Sequence, residues 1–199
     1  MKKLQVGLAA LVFALGVNLS LPPGLALAAH TNEPSVEPFR FEEYFQGPIH
    51  ARGFVRNRGG DVIRRFWAEI EGTWDAQSQQ LTLDEILHFD DGEVLTRIWV
   101  IDRHDDGHYT GRAADVKGVA KGEVEGVDGV LRYALTIEFR GMSVVVNVED
   151  HFHAVSDDVM YNNTQLSKFG FKVGSVSSVF YKGGAVPGDC GGARAIDCA

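Results

Sequence analysis

Strict alternation of apolar and polar side chains constrains this chain more than any other feature. In VIRRFWAEIEGTW, Val62, Phe66, Ala68, Ile70 and Trp74 share one parity, while Arg65, Glu69, Glu71 and Thr73 hold the other. In VLRYALTIEF, Leu131, Tyr133, Leu135, Ile137 and Phe139 alternate with Arg132, Thr136 and Glu138. Successive side chains of a strand point to opposite faces, so each segment has one wet face and one buried face. Similar segments begin near Leu81, Val94, His108, Val116, Val144, Met160 and Val176. Turn signals separate them, among them Arg58-Gly59-Gly60-Asp61, Asp90-Asp91-Gly92, Asp105-Asp106-Gly107 and Asp128-Gly129. The only helical stretch in view is Phe41 to Phe45. The pattern predicts an all-β fold, a single antiparallel up-and-down barrel of about 9–10 strands, with a sandwich as the alternative. Closure is favoured because it removes the unpaired edges that a run of hairpins otherwise leaves.

The first 28 residues read as a secretory signal: Lys2 and Lys3, an apolar run from Leu4 to Leu21, Pro22-Pro23, then Ala26-Leu27-Ala28 before a cleavage point. An uncleaved anchor is the alternative, since the run could nearly span a bilayer. With cleavage the chain keeps no stable membrane span and is periplasmic or secreted. Residues 29–38 read as a disordered leader, 39–182 as the barrel domain, and 183–199 as a Gly-rich tail. Removing Lys2 and Lys3 but no acid leaves 17 lysines and arginines against 27 acids, a balance that argues against nucleic acid and against anionic membrane as default partners. The two cysteines, Cys190 and Cys198, are expected to form a disulfide in an oxidising compartment.

Several motifs invite chemistry. Gly188-Asp189-Cys190-Gly191-Gly192 is similar to the nucleophile turn of chymotrypsin-type proteases, but the residues after Gly192 are too few to build a specificity pocket. His151 and His153, beside Glu149, could offer two imidazoles to a metal. Val144, Val146, Val148 and Phe152 occupy the opposite parity, so the histidines are expected to face solvent and no metal site is assigned. No phosphate-loop or zinc-protease signature is present, and no cofactor and no catalytic residue is assigned.

More informative are charges on apolar parity. Arg64 shares a side with Phe66, Ile70 and Trp74; Glu85 with Leu83 and Leu87; Arg97 with Leu95, Trp99 and Ile101; Asp150 with Val148 and Phe152. A lone buried charge is costly, so these four are expected to meet in a shared polar interior lined by Trp74 and Trp99. VKGVAKGEVEG places Gly118, Ala120 and Gly122 on its inner side. That room is filled either by Trp67, Trp74 and Trp99 or by an apolar ligand.

The segments FEEYFQGPIHARGFVRNRGGDVIRRFWAEIEGTW and LSKFGFKVGSVSSVFYK resemble the opening and closing motifs of the domain-of-unknown-function 3833 family of bacterial envelope proteins. That resemblance implies an envelope location and no established activity. The chain departs from the family pattern in lacking a lipid-accepting cysteine near the start. Gly72-Thr73-Trp74 is similar to the Gly-x-Trp of lipocalin-like, or calycin, barrels. Together these readings predict a protein that binds a hydrophobic or amphipathic small molecule inside a barrel. The alternatives are an interaction module with an envelope protein partner, and an enzyme acting on a lipid through Glu85 or Asp150.

Overall fold

Each alternating segment forms a strand, and each strand pairs with the next in chain order. In the computed structural model, which describes residues 36–139 and 141–183, a short helix α1 (Phe41–Tyr44) precedes β1 (Gly47–Asn57), β2 (Val62–Asp75), β3 (Gln80–Phe89), β4 (Val94–Arg103) and β5 (Tyr109–Arg112). There follow β6 (Val116–Glu125), β7 (Asp128–Phe139), β8 (Met142–Ser156), β9 (Val159–Lys168) and β10 (Phe171–Lys182). The meander closes because β10 returns to β1, Ile49 opposite Lys182 and Asn57 opposite Gly174. The fold is therefore a ten-stranded antiparallel up-and-down barrel, as the alternation predicts. Cys190 and Cys198 lie outside the described residues, as do the segment read as a signal, most of the leader and the tail after Gly183.

The barrel is stoppered at one end. The segment before β1 folds inward and buries Phe39, Phe41, Tyr44 and Phe45. Phe41 meets the rings of Tyr109 and Phe152 edge-on at 5.0 and 5.3 Å, and Phe45 meets Phe180 at 5.7 Å. Polar contacts fix the stopper: the Phe39 amide donates to the Gly126 carbonyl at 2.8 Å, and the Tyr44 hydroxyl to the Phe180 carbonyl at 3.0 Å. Glu42, buried on α1, accepts from the Tyr109 hydroxyl at 2.8 Å and lies 3.1 Å from Arg103. The chain then passes so close to β2 that a Cβ at Gly72 would sit 1.5 Å from the Phe45 carbonyl oxygen. This contact gives the Gly-x-Trp stretch a physical reason: only a glycine lets the stopper cross the second strand.

The opposite end carries the β1–β2, β3–β4, β7–β8 and β9–β10 turns. Outward positions of β2 are Arg65, Trp67, Glu69, Glu71 and Thr73, whereas a strand lying against lipid has an apolar outer face. Among the described residues no helix is long and apolar enough to cross a membrane.

Candidate functional site

The inward parity of β2, β3, β4, β7, β8, β9 and β10 surrounds a cavity of about 220 Å³. Phe41 and Phe45 form its floor at the stoppered end, and its wall is mostly apolar, including Leu87, Trp99, Leu135 and Leu166. Into this apolar space the fold projects Glu85, Arg97, Tyr133 and Asp150. Three of the four charges on apolar parity are thus brought together: Glu85 and Arg97 lie directly opposite each other on β3 and β4, and Asp150 enters the same cavity from β8.

Asp150 is fully satisfied. Its carboxylate accepts from the Tyr133 hydroxyl at 2.7 Å and from the Thr164 hydroxyl, and Thr164 lies 3.1 Å from the Asn162 side-chain oxygen. Ser178 donates to that same oxygen at 3.2 Å, extending the polar group across β10, β9, β8 and β7. Burial raises the Asp150 carboxyl above its usual range, opposed by these donors, and burial also pushes the Tyr133 phenol well up.

Arg97 points to a defect in the wall. β5 pairs with only Val100–Arg103 of β4, so the first half of β4 has no partner on that side. The Arg97 guanidinium reaches across the gap to Asp115, just before β6, with Nε donating at 3.0 Å. Glu85 is left over. Its carboxylate makes no hydrogen bond or ion pair with the described residues, and the surface it retains faces the cavity. Burial raises its pKa to about 7, with Arg97 pulling it down and Asp150 and Asp115 pushing it up.

Two expected members lie elsewhere. Arg64 is on the cavity parity but sits near the open end, where its guanidinium turns out to Asp91 at 2.6 Å and Glu93 at 2.5 Å and covers the Phe89 ring. A long side chain near a strand end can reach water with its head while its stem stays on apolar surface, and parity does not register this. Trp74 packs against the core but does not line the cavity. Replacing Arg64 with methionine is expected to cost no more than about 1 kcal/mol in urea unfolding, because both partner carboxylates are exposed. A loss several times larger would place Arg64 in the interior network.

Trp99 is buried, edge-on to Tyr133 at 5.2 Å, and its ring covers Gly111 beside Ala120. Of the small residues of β6, Ala120 lies near Trp99 and Gly122 meets Tyr109 and Leu131, whereas Gly118, at φ +83°, is exposed at an irregularity of the strand and does not face inward; the remaining cavity lies toward β2, β3 and β7 to β10. Trp67 faces outward, 44% exposed and stacked on His88 at 3.9 Å. His151 and His153 lie on the outer wall, His153 against Asp128 at 2.8 Å, and no metal-binding group exists among the described residues. Sequence reasoning missed Tyr133, Asn162, Thr164 and Ser178. Their signal was available: Asn162 and Thr164 share parity with Met160 and Leu166, and Ser178 with Val176 and Phe180. Asp115 lies between strands, where parity has no meaning.

The family model for proteins of unknown function, DUF3833, matches residues 26–182. The chain belongs to this family. Its boundary coincides with the end of β10, so the DUF3833 match takes in the whole closed barrel and its stopper. No curated protein matches the sequence. Among solved structures, the S-type phycobiliprotein lyase CPES of Guillardia theta is similar, with TM-score 0.54 at 12% identity, covering 73% of this chain and 92% of that one. At that identity the likeness concerns the fold.

Proposed function

We propose that this DUF3833 barrel binds a small amphipathic molecule, with its apolar part in the cavity and a hydrogen-bond donor against Glu85. The observation that carries this reading is the Glu85 carboxylate, which faces a mostly apolar cavity with Arg97 as its charged neighbour and accepts no hydrogen bond from the described residues. A carboxylate taken out of water without a hydrogen bond costs stability, and a bound donor would offset that cost. The polar group around Asp150 is already satisfied and supplies a fixed wall. At about 220 Å³ the space is smaller than the ~300–1,000 Å³ of drug-sized pockets, which suits a small molecule or one slender chain of a larger one. A calycin-like barrel agrees with binding, and the structural neighbour is a phycobiliprotein lyase.

A second reading has one observation in its favour. A carboxyl titrating near 7 at a ligand cavity is suited to proton transfer, so Glu85 would act as acid or base on the bound molecule. In both readings the chain is exported, its first 28 residues are removed as a signal, and it works in the periplasm or outside the cell.

N-phenyl-1-naphthylamine, an apolar body with one N–H donor, is the probe. Its fluorescence is expected to rise on binding the wild-type chain, to weaken with Glu85→Gln, and to vanish with Leu87→Trp, which fills the cavity. Native mass spectrometry of the exported protein is expected to show a retained molecule that Leu87→Trp lacks. No fluorescence rise together with a bare wild-type mass would overturn the reading.

A further inference from the structure

The turn between β9 and β10 reads Lys168-Phe169-Gly170-Phe171-Lys172, and its design is not explained by folding. Phe169 has φ +52° and Gly170 φ +81°, the left-handed pair of a two-residue hairpin turn. Asn-Gly adopts that conformation readily, whereas a bulky side chain there is a backbone outlier. Phe169 is nevertheless 85% exposed, with the Lys168 ammonium 5.0 Å from its ring, and Phe171 is 73% exposed. Two aromatic rings are thus held in water at the tip of a hairpin, bracketed by two lysines.

The neighbours at the same end share this character. Following the barrel order, Ile63 and Val62 open β2, Val173 lies on β10 and Met142 opens β8, all of them exposed. Arg58, also exposed, stands on the β1–β2 turn beside β10. Of the acids of the β3–β4 turn, Asp91 and Glu93 are taken up by Arg64, and Asp90 is exposed. The chain as a whole is acidic, with net charge −8, whereas this tip presents the exposed cations Lys172 and Arg58; the Lys168 ammonium donates to the Val145 carbonyl at 2.8 Å.

We propose that this tip inserts into the surface of an anionic phospholipid bilayer, Phe169 and Phe171 entering below the headgroups and the exposed Lys172 and Arg58 meeting lipid phosphates. Aromatic rings at the interface with cations at headgroup level are the chemistry of peripheral anchoring. The barrel mouth, opposite the stopper, then faces the lipid. Insertion needs nothing bound in the cavity, so the vesicle experiment and the naphthylamine experiment fail separately.

The test uses the purified chain with phosphatidylcholine vesicles, with and without phosphatidylglycerol. In Phe171→Trp, the added emission is expected to shift to shorter wavelength on anionic vesicles and to be quenched by brominated acyl chains. This readout is local to the tip whatever else holds the chain. The double variant Phe169→Ser with Phe171→Ser is expected to lower vesicle partitioning about tenfold or more, while Ile98→Ser on the barrel wall leaves it unchanged. Unchanged melting of these variants, whose sites are exposed, shows that they fold. Emission of Phe171→Trp that ignores brominated lipid, or serine variants that partition like wild type, would overturn the proposal. So would a dimer of the wild type that the serine variant disperses without any vesicle effect, for the tip's occupant would then be a second copy.

Discussion

Glu85→Gln is expected to stabilise the folded protein by about 3 kcal/mol at pH 8 and to change it little at pH 4. A carboxyl whose folded pKa, about 7, lies above its usual 4.5 holds its proton more tightly in the folded state. The native protein then binds more protons than the unfolded chain between those values, so wild-type stability falls as pH rises from about 4.5 to about 7 and is flat above. The interval corresponds to about 3 kcal/mol, an order-of-magnitude figure for a group facing Arg97, Asp115 and Asp150. Glutamine is not titratable and keeps the shape, so the variant loses this part of the pH dependence. Asp150, also raised, contributes a slope of the same sign that both proteins share. Urea unfolding of the two proteins across pH 4 to 8 reads the difference directly. Parallel curves would show that Glu85 is solvated or paired. A residue that destabilises its own fold at neutral pH is the pattern expected of a site kept for function.

Phe41→Ala is expected to cost about 3–5 kcal/mol, the range for truncating a buried phenylalanine. Phe41 is 1% exposed and touches Phe39, Phe45, Tyr109 and Phe152, so the void cannot close without moving several rings. It also floors the cavity, so the variant should admit naphthylamine derivatives too large for the wild type. A loss below about 1 kcal/mol in urea unfolding would mean that the stopper is not part of the cooperative fold.

The barrel was legible because period-two alternation survives in almost every strand, and a one-residue slip would exchange wet and dry faces. Parity also found Glu85, Arg97 and Asp150, since a charge on the apolar side of a strand has nowhere to go but the interior. It failed where geometry departs from an ideal strand. Arg64 lies near the open end and reaches out; Asp115 sits in the gap left by the short β5; Trp67 takes the polar parity and faces out despite its size. The stopper was visible only as a short helical stretch, because nothing in FEEYF states that its rings enter a barrel. The network of Tyr133, Asn162, Thr164 and Ser178 was overlooked because hydroxyls and amides on an apolar face attract less notice than charges.

The pairing of β1 with β10 has a consequence in time. Every other strand pair joins chain neighbours across a turn and can form as a local hairpin, whereas this one joins residues 49–57 to 174–182. Contacts so distant in sequence form late, since the loop-closure entropy must be met first. A chain made from its amino terminus cannot shut the cylinder until its last strand has emerged. Until then the inward faces of both end strands, and the phenylalanines ahead of β1, are open to other molecules. The slowest step of folding and the moment of greatest vulnerability to aggregation therefore coincide at one seam.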